Sequence, residues 1–154
     1  MEIKKILLPY NFTDLDKKAL DFVGQAFFNV KDVELTIFNI YTPVPDIDIK
    51  DSQIMKKMQP DLSYLSQLIR EQEQNLETAK QTLVSKGFPE SQVKIVFKSK
   101  KTDVSSHIIE MATKDKFDVI VINRKSGRVN RFFSGSVFNK VVTSLKDTTV
   151  CIIS

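Results

Sequence analysis

Two hydrophobic periods alternate without a break along these 154 residues, and that alternation constrains the fold more than any other feature. Ile3 to Pro9, Val33 to Tyr41, Gln92 to Phe97, Phe117 to Asn123 and Thr149 to Ile153 are brief apolar runs rich in β-branched and aromatic residues, the mark of buried strands. Between them apolar residues return every three or four positions, as on one face of a helix. The first such stripe is Leu15, Ala19, Leu20, Phe22, Val23, Ala26 and Phe27. The second is Leu62, Leu65, Ile69, Leu76, Ala79 and Leu83, and the third Val104, Ile108, Ile109, Met111 and Ala112. A fourth helix is expected from about Ser136 to Leu145. Strands alternating with helices predict a mostly parallel sheet with helices on both faces, wound by right-handed crossovers.

Local signals punctuate this pattern. Thr13 or Asp14 is placed to cap the first helix, and Thr102-Asp103 the third. Thr42-Pro43-Val44-Pro45 stops the second strand, and Gly87 followed by Pro89 stops the second helix. From Pro45 to about Pro60 the chain is polar without a sustained period, which predicts a connection carrying at most a short helical piece. No repeat, low-complexity tract or linker divides the chain, so residues 1–154 are expected to form one domain, and a hydrophobic fraction of 42% suffices for its core.

Composition excludes several classes. Twenty-three basic against 19 acidic residues leave a net charge of +4, compatible with anionic ligands but not the footprint of a nucleic-acid binder. The start, MEIKKILLP, lacks a secretory h-region, and no apolar run approaches the roughly 18 residues of a membrane span, so cytoplasmic residence is expected. The single cysteine, Cys151, has no intramolecular partner and is expected to pack as a small buried hydrophobe. His107, the only histidine, falls inside a helix with no companion ligand, which argues against a metal site or a catalytic triad. Asp46, Asp48 and Asp51 lack the spacing of a calcium loop, and Asp14 and Asp16 are expected to favour the positive end of the first helix.

Ligands of such sheets bind beyond the carboxyl ends of the strands where strand order reverses, which singles out the loops after strands one and four. The second of these reads Asn123-Arg124-Lys125-Ser126-Gly127-Arg128-Val129-Asn130-Arg131-Phe132-Phe133-Ser134-Gly135-Ser136. Strand, basic loop, Gly-Ser and a helix reading SVFNKVV resemble the carboxy-terminal signature of the universal stress protein family. IKKILLP, a polar turn and an amphipathic helix at the start are similar to the same family, so the resemblance spans the whole chain. It implies a flavodoxin-like, Rossmann-like α/β fold, a five-stranded parallel sheet of order 3-2-1-4-5 with four helices on two faces. It also implies a stress-response module and a homodimer.

Some members of that family bind ATP through glycine, two residues, glycine, nine residues, then glycine and serine or threonine. Counted back from Gly135-Ser136, the first two glycines map onto Ile122 and Lys125, whose side chains reshape the phosphate cradle. The acidic residue after strand one maps onto Asn11 in Pro9-Tyr10-Asn11-Phe12, where an amide replaces a carboxylate. The positions this resemblance assigns to a nucleotide site are Pro9, Asn11, Ile40, Asn123, Arg124, Lys125, Gly135, Ser136 and Val137. Two readings stand: a non-enzymatic module with a degenerate pocket acting through unknown protein partners, or an adenine-nucleotide binder, a slow ATPase included, that takes ATP with magnesium. Arg124, Lys125, Arg128 and Arg131 serve the second reading as phosphate ligands and the first as a solvated loop. Ser136 serves either as a phosphate contact or as a helix cap, and Phe132-Phe133 is expected to pack over the sheet end. Edge pairing of the last strand, TVCIIS, is the dimer contact the resemblance implies.

Overall fold

The structure, a computed structural model, describes residues 2–45, 52–124 and 134–154. Its strands are β1 (Lys5–Pro9), β2 (Glu34–Tyr41), β3 (Val93–Ser99), β4 (Val119–Asn123) and β5 (Thr149–Ile153). Its helices are α1 (Asp14–Phe27), α2 (Ser52–Ser85), α3 (Val104–Lys114) and α4 (Ser134–Ser144). All five strands run parallel in the order β3-β2-β1-β4-β5, so the flavodoxin-like topology is the one the sequence resemblance implies. β1 and β4, adjacent in space, are where the winding reverses.

Each face of the sheet has its own apolar layer. Ile6, Leu8, Leu35 and Ile37 meet Leu20 and Val23 of α1 and Leu76 and Leu83 of α2 on one face. Leu7, Phe38, Ile120 and Ile122 meet Ile108 and Met111 of α3 and Val141 of α4 on the other. Alternation of neighbours such as Ile6, Leu7 and Leu8 between the two layers follows from the two-residue period of a strand. Burying both faces explains why these strands are continuously apolar. On α1, Phe22 and Ala26 are exposed, contrary to the expected stripe, while Ala19, Leu20 and Val23 are buried and Phe27 packs against the same core. Cys151 is half-buried rather than fully enclosed, since β5 is an edge strand; burial pushes its thiol above the ordinary range.

α2 departs most from the sequence reading. It begins at Ser52, inside the segment expected to be a connection, and runs 34 residues with Pro60 in its interior. Pro60 and Lys56 are both exposed, so the carbonyl that the proline leaves without a donor opens to water. Only the C-terminal half packs on the sheet, through buried Leu76, Ala79 and Leu83. The helix ends in a Schellman motif: Phe88 N–H donates to Leu83 O at 3.2 Å and Gly87 N–H to Val84 O at 3.1 Å. Gly87 takes φ +116°, where a side chain would be strained, while buried Phe88 joins Leu83 in the core.

Candidate functional site

The turn after β1 is organised by a buried carboxylate. Thr13 caps α1: its Oγ1 accepts the Asp16 N–H at 3.1 Å, and Asp16 Oδ2 accepts the Thr13 N–H at 3.3 Å, a reciprocal capping box. Asp16 does more than cap. Its Oδ2 also accepts the Asn11 N–H at 2.8 Å, and its Oδ1 accepts a hydrogen bond from Asn123 Nδ2 at the end of β4. With a relative exposure of 3%, this carboxylate sits between the two loops that converge at the switch point. Backbone amides that would face an arriving anion are thus already turned on an internal one.

Tyr10 and Phe12 complete the turn. Their rings meet edge to face at 5.2 Å, and Phe12 holds φ +61°, a left-handed conformation uncommon for a bulky residue. Burial, with the Asp16 and Asp21 carboxylates nearby, raises the Tyr10 hydroxyl above its ordinary value. Asn39 on β2 fixes the turn from below by donating from Nδ2 to Tyr10 O at 2.7 Å. Its Oδ1 is buried and meets no donor among the described residues. An open groove of about 600 Å³ lies beside this turn, lined by Tyr10, Phe12, Lys17, Leu20, Asn75 and Thr78, between α1 and α2 rather than over β4.

Of the residues assigned from sequence, Pro9, Asn11, Asn123 and Arg124 come together at the ends of β1 and β4. Asn123 binds Asp16, and Asn11 contributes its backbone while remaining exposed. Arg124 is exposed, with its guanidinium 5.9 Å from the Phe138 ring and its N–H donating to Ile153 O at 2.7 Å. Ile40 and Val137 are half-buried on the α3/α4 face. Gly135 and Ser136 lie within the first turn of α4, which starts at Ser134, so Ser136 is not the cap. Lys125, Gly127, Arg128, Arg131 and Phe132-Phe133 fall outside the described residues, as do Asp46, Asp48 and Asp51. Asp16 was missed as a site residue, although Thr13-Asp14-Leu15-Asp16 carries the Ser/Thr-x-x-acid signature of a capping box.

A second polar knot joins α3 to α4. The Asp103 carboxylate does not cap α3; it accepts the Ser105 hydroxyl and, at 2.9 Å, the Lys140 ammonium, which also reaches Ser106 Oγ at 2.9 Å. These hydrogen bonds, led by those of Ser105 and Ser106, hold Asp103 below the usual carboxylate range. His107 is buried, and its Nε2 accepts the Lys101 N–H at 3.0 Å and the Thr102 N–H at 3.3 Å. That lone pair is therefore committed to holding the loop before α3. Among the described residues no group of three or more His, Cys, Asp or Glu is placed to hold a metal ion.

Such a sheet, with two helices on each face and loops converging where its order reverses, defines a doubly wound α/β domain of the kind that binds ligands at strand ends. A profile of the universal stress protein family matches residues 2–152. The chain belongs to that family. Among solved structures it is similar to the universal stress protein UspA from Lactobacillus plantarum, with 16% identity, a TM-score of 0.71, and coverage of 100% of this chain and 99% of the other. It is also similar to a universal stress protein in complex with cAMP, with 17% identity, a TM-score of 0.66, and coverage of 100% and 98%. A universal stress protein from Archaeoglobus fulgidus in complex with dAMP gives 17% identity, a TM-score of 0.60 and full coverage of both chains. Identities this low speak for the fold alone. No match was found among curated proteins.

Proposed function

We propose that this chain is a non-enzymatic, cytoplasmic stress-response module with a degenerate nucleotide pocket, acting through dimerisation and protein partners. The observation that carries the reading is the Asp16 carboxylate, which engages the Asn11 and Thr13 amides and the Asn123 side chain at the switch point. A triphosphate arriving there meets a fixed negative charge in place of free donors, and in the sequence Ile122 and Lys125 take the positions that are glycine in the family's ATP-binding pattern. The β5 edge, with Ile152 48% exposed, suits pairing with a second copy.

A second reading has its own support. Similar structures carry cAMP and dAMP, adenine nucleotides with a single phosphate. The first turn of α4 offers amides without intrahelical acceptors, and Arg124 offers a cation beside them. Those groups fit one phosphate better than three, with Asn11 and Ile40 beside the nucleoside.

Melting temperatures measured with ATP and magnesium, AMP and cAMP separate the readings. A degenerate pocket leaves all of them unmoved. Binding at 100 times the dissociation constant stabilises by about 2.7 kcal/mol, a rise of roughly 5–11 °C for a domain of this size. A shift with ATP and magnesium that survives Gly135→Asp would remove the α4 turn from consideration.

A further inference from the structure

Tyr10 is 6% exposed, yet its hydroxyl forms no hydrogen bond with any described residue. A buried donor left unpaired is costly, and in native proteins such a group is ordinarily met by water or a ligand. The residue is rigidly placed, since its ring packs edge to face on Phe12 and its carbonyl is held by Asn39. It lines the groove between α1 and α2, as does Asp21, whose charge reaches the hydroxyl. Burial, then the Asp16 and Asp21 carboxylates, raise this hydroxyl above its ordinary value, so it keeps its proton and stands as a donor.

The rest of the groove narrows what could accept that proton. Thr78 and Thr82, on the α2 wall, spend their hydroxyl protons on the carbonyls of Gln74 and Thr78 at 3.1 and 3.0 Å, so they offer only lone pairs. Asn75 beside them leaves its carboxamide without a partner among the described residues. Both charged residues that line the groove are already answered: Lys17 faces Asp14 at 3.8 Å, and Asp21 takes the Lys86 ammonium. Between these polar walls lie the Phe12 ring, Leu20 and Ala79, an apolar bed with one aromatic surface. About 600 Å³ is ample for one or two fused rings.

We propose that this groove binds an uncharged, planar heteroaromatic molecule, whose ring rests on Phe12, Leu20 and Ala79. A ring nitrogen or carbonyl accepts the Tyr10 hydroxyl, and a ring N–H donates to the α2 wall. The site is separate from the switch point, because Ile40 and Val137, assigned there to the nucleotide, pack on the opposite face of the sheet. It therefore stands whether or not a nucleotide is held.

Titrating nitrogen-labelled protein with benzimidazole, a flat ring with one acceptor nitrogen and one N–H, tests this by amide spectra at neutral pH. Saturating shifts are expected at Leu20, Thr78 and Ala79. Tyr10→Phe keeps the ring and its packing but loses the hydrogen bond, and weakens binding about fivefold. Thr78→Trp, at an exposed position, fills the groove and abolishes binding in a folded protein. Benzoate, of similar size but anionic and without an N–H, leaves the spectrum unchanged. No saturation by about 10 mM benzimidazole, equal affinity in Tyr10→Phe, or binding retained in Thr78→Trp overturns the site. Shifts gathered instead at Asn123, Arg124 and α4 overturn it as well, and benzoate binding as tightly as benzimidazole overturns the uncharged class.

Discussion

Replacing Asp16 by alanine tests whether one carboxylate joins the two loops of the switch point. The substitution removes three hydrogen bonds, from the Asn11 and Thr13 amides and from Asn123 Nδ2. Bonds to a charged acceptor contribute about 1.5–3 kcal/mol each, but Asn11 and Thr13 are exposed enough for water to replace part of the loss. Taking about 1 kcal/mol per bond gives a destabilisation of about 3 kcal/mol, or roughly 6–12 °C in melting temperature. Denaturant unfolding of wild type, Asp16→Ala, Asn123→Ala and the double variant measures the specific link. A coupling of about 1–2 kcal/mol is expected, since removing either partner already loses the bond. Additivity within about 0.5 kcal/mol refutes the contact. Asp14→Ala is the control, because Asp14 is exposed and only 3.8 Å from Lys17 on the same helix; it costs less than about 0.5 kcal/mol.

Two further outcomes concern the scaffold. Gly87→Ala is expected to cost about 1–2 kcal/mol through strain at a positive φ, seen as a lowered denaturant midpoint, and an unchanged midpoint refutes the need for glycine there. Asp103 has a folded-state pKa below its unfolded value of 3.8, so its contribution to stability is complete above that pH and is lost as pH falls through the folded value. Carboxyl chemical shifts should place its midpoint beneath the ordinary range, and Lys140→Ala should raise it; an ordinary midpoint in wild type would show that the α3–α4 knot is absent in solution.

Most of the fold was legible because strand burial leaves so plain a mark. Ile6 to Leu8 and Val119 to Ile122 are apolar on both faces, and no helix presents such a run between capping and stopping residues. The first turns of α2, from Ser52 to Pro60, escaped for a physical reason: Pro60 and the lysines beside it read as a connection, while Met58 alone is too little to extend the stripe that starts at Leu62. Asn11 and Asn123 were legible as positions but not as roles. A sequence does not show that an acid five residues beyond Asn11 folds back to take up its amide. α4 begins two residues before Ser136 because its first turn carries no stripe to mark it.

β1 and β4 are paired over few positions, Ile6 with Val119 and Leu7 with Ile120, whereas β2 and β3 pair along seven. At the amino end of this short ladder the Asp118 carboxylate accepts the Lys4 and Lys5 amides, both at 2.9 Å, and at the carboxyl end Asp16 grips Asn123. The chain is therefore two halves fastened at both ends of a narrow join, with the loops after β1 and β4 meeting at one fastening. Anything that settles there and competes for Asp16 acts as a wedge as much as a ligand. Its signature would be faster amide exchange in β4 and β5 relative to β2 and β3, carrying the signal out to the β5 edge.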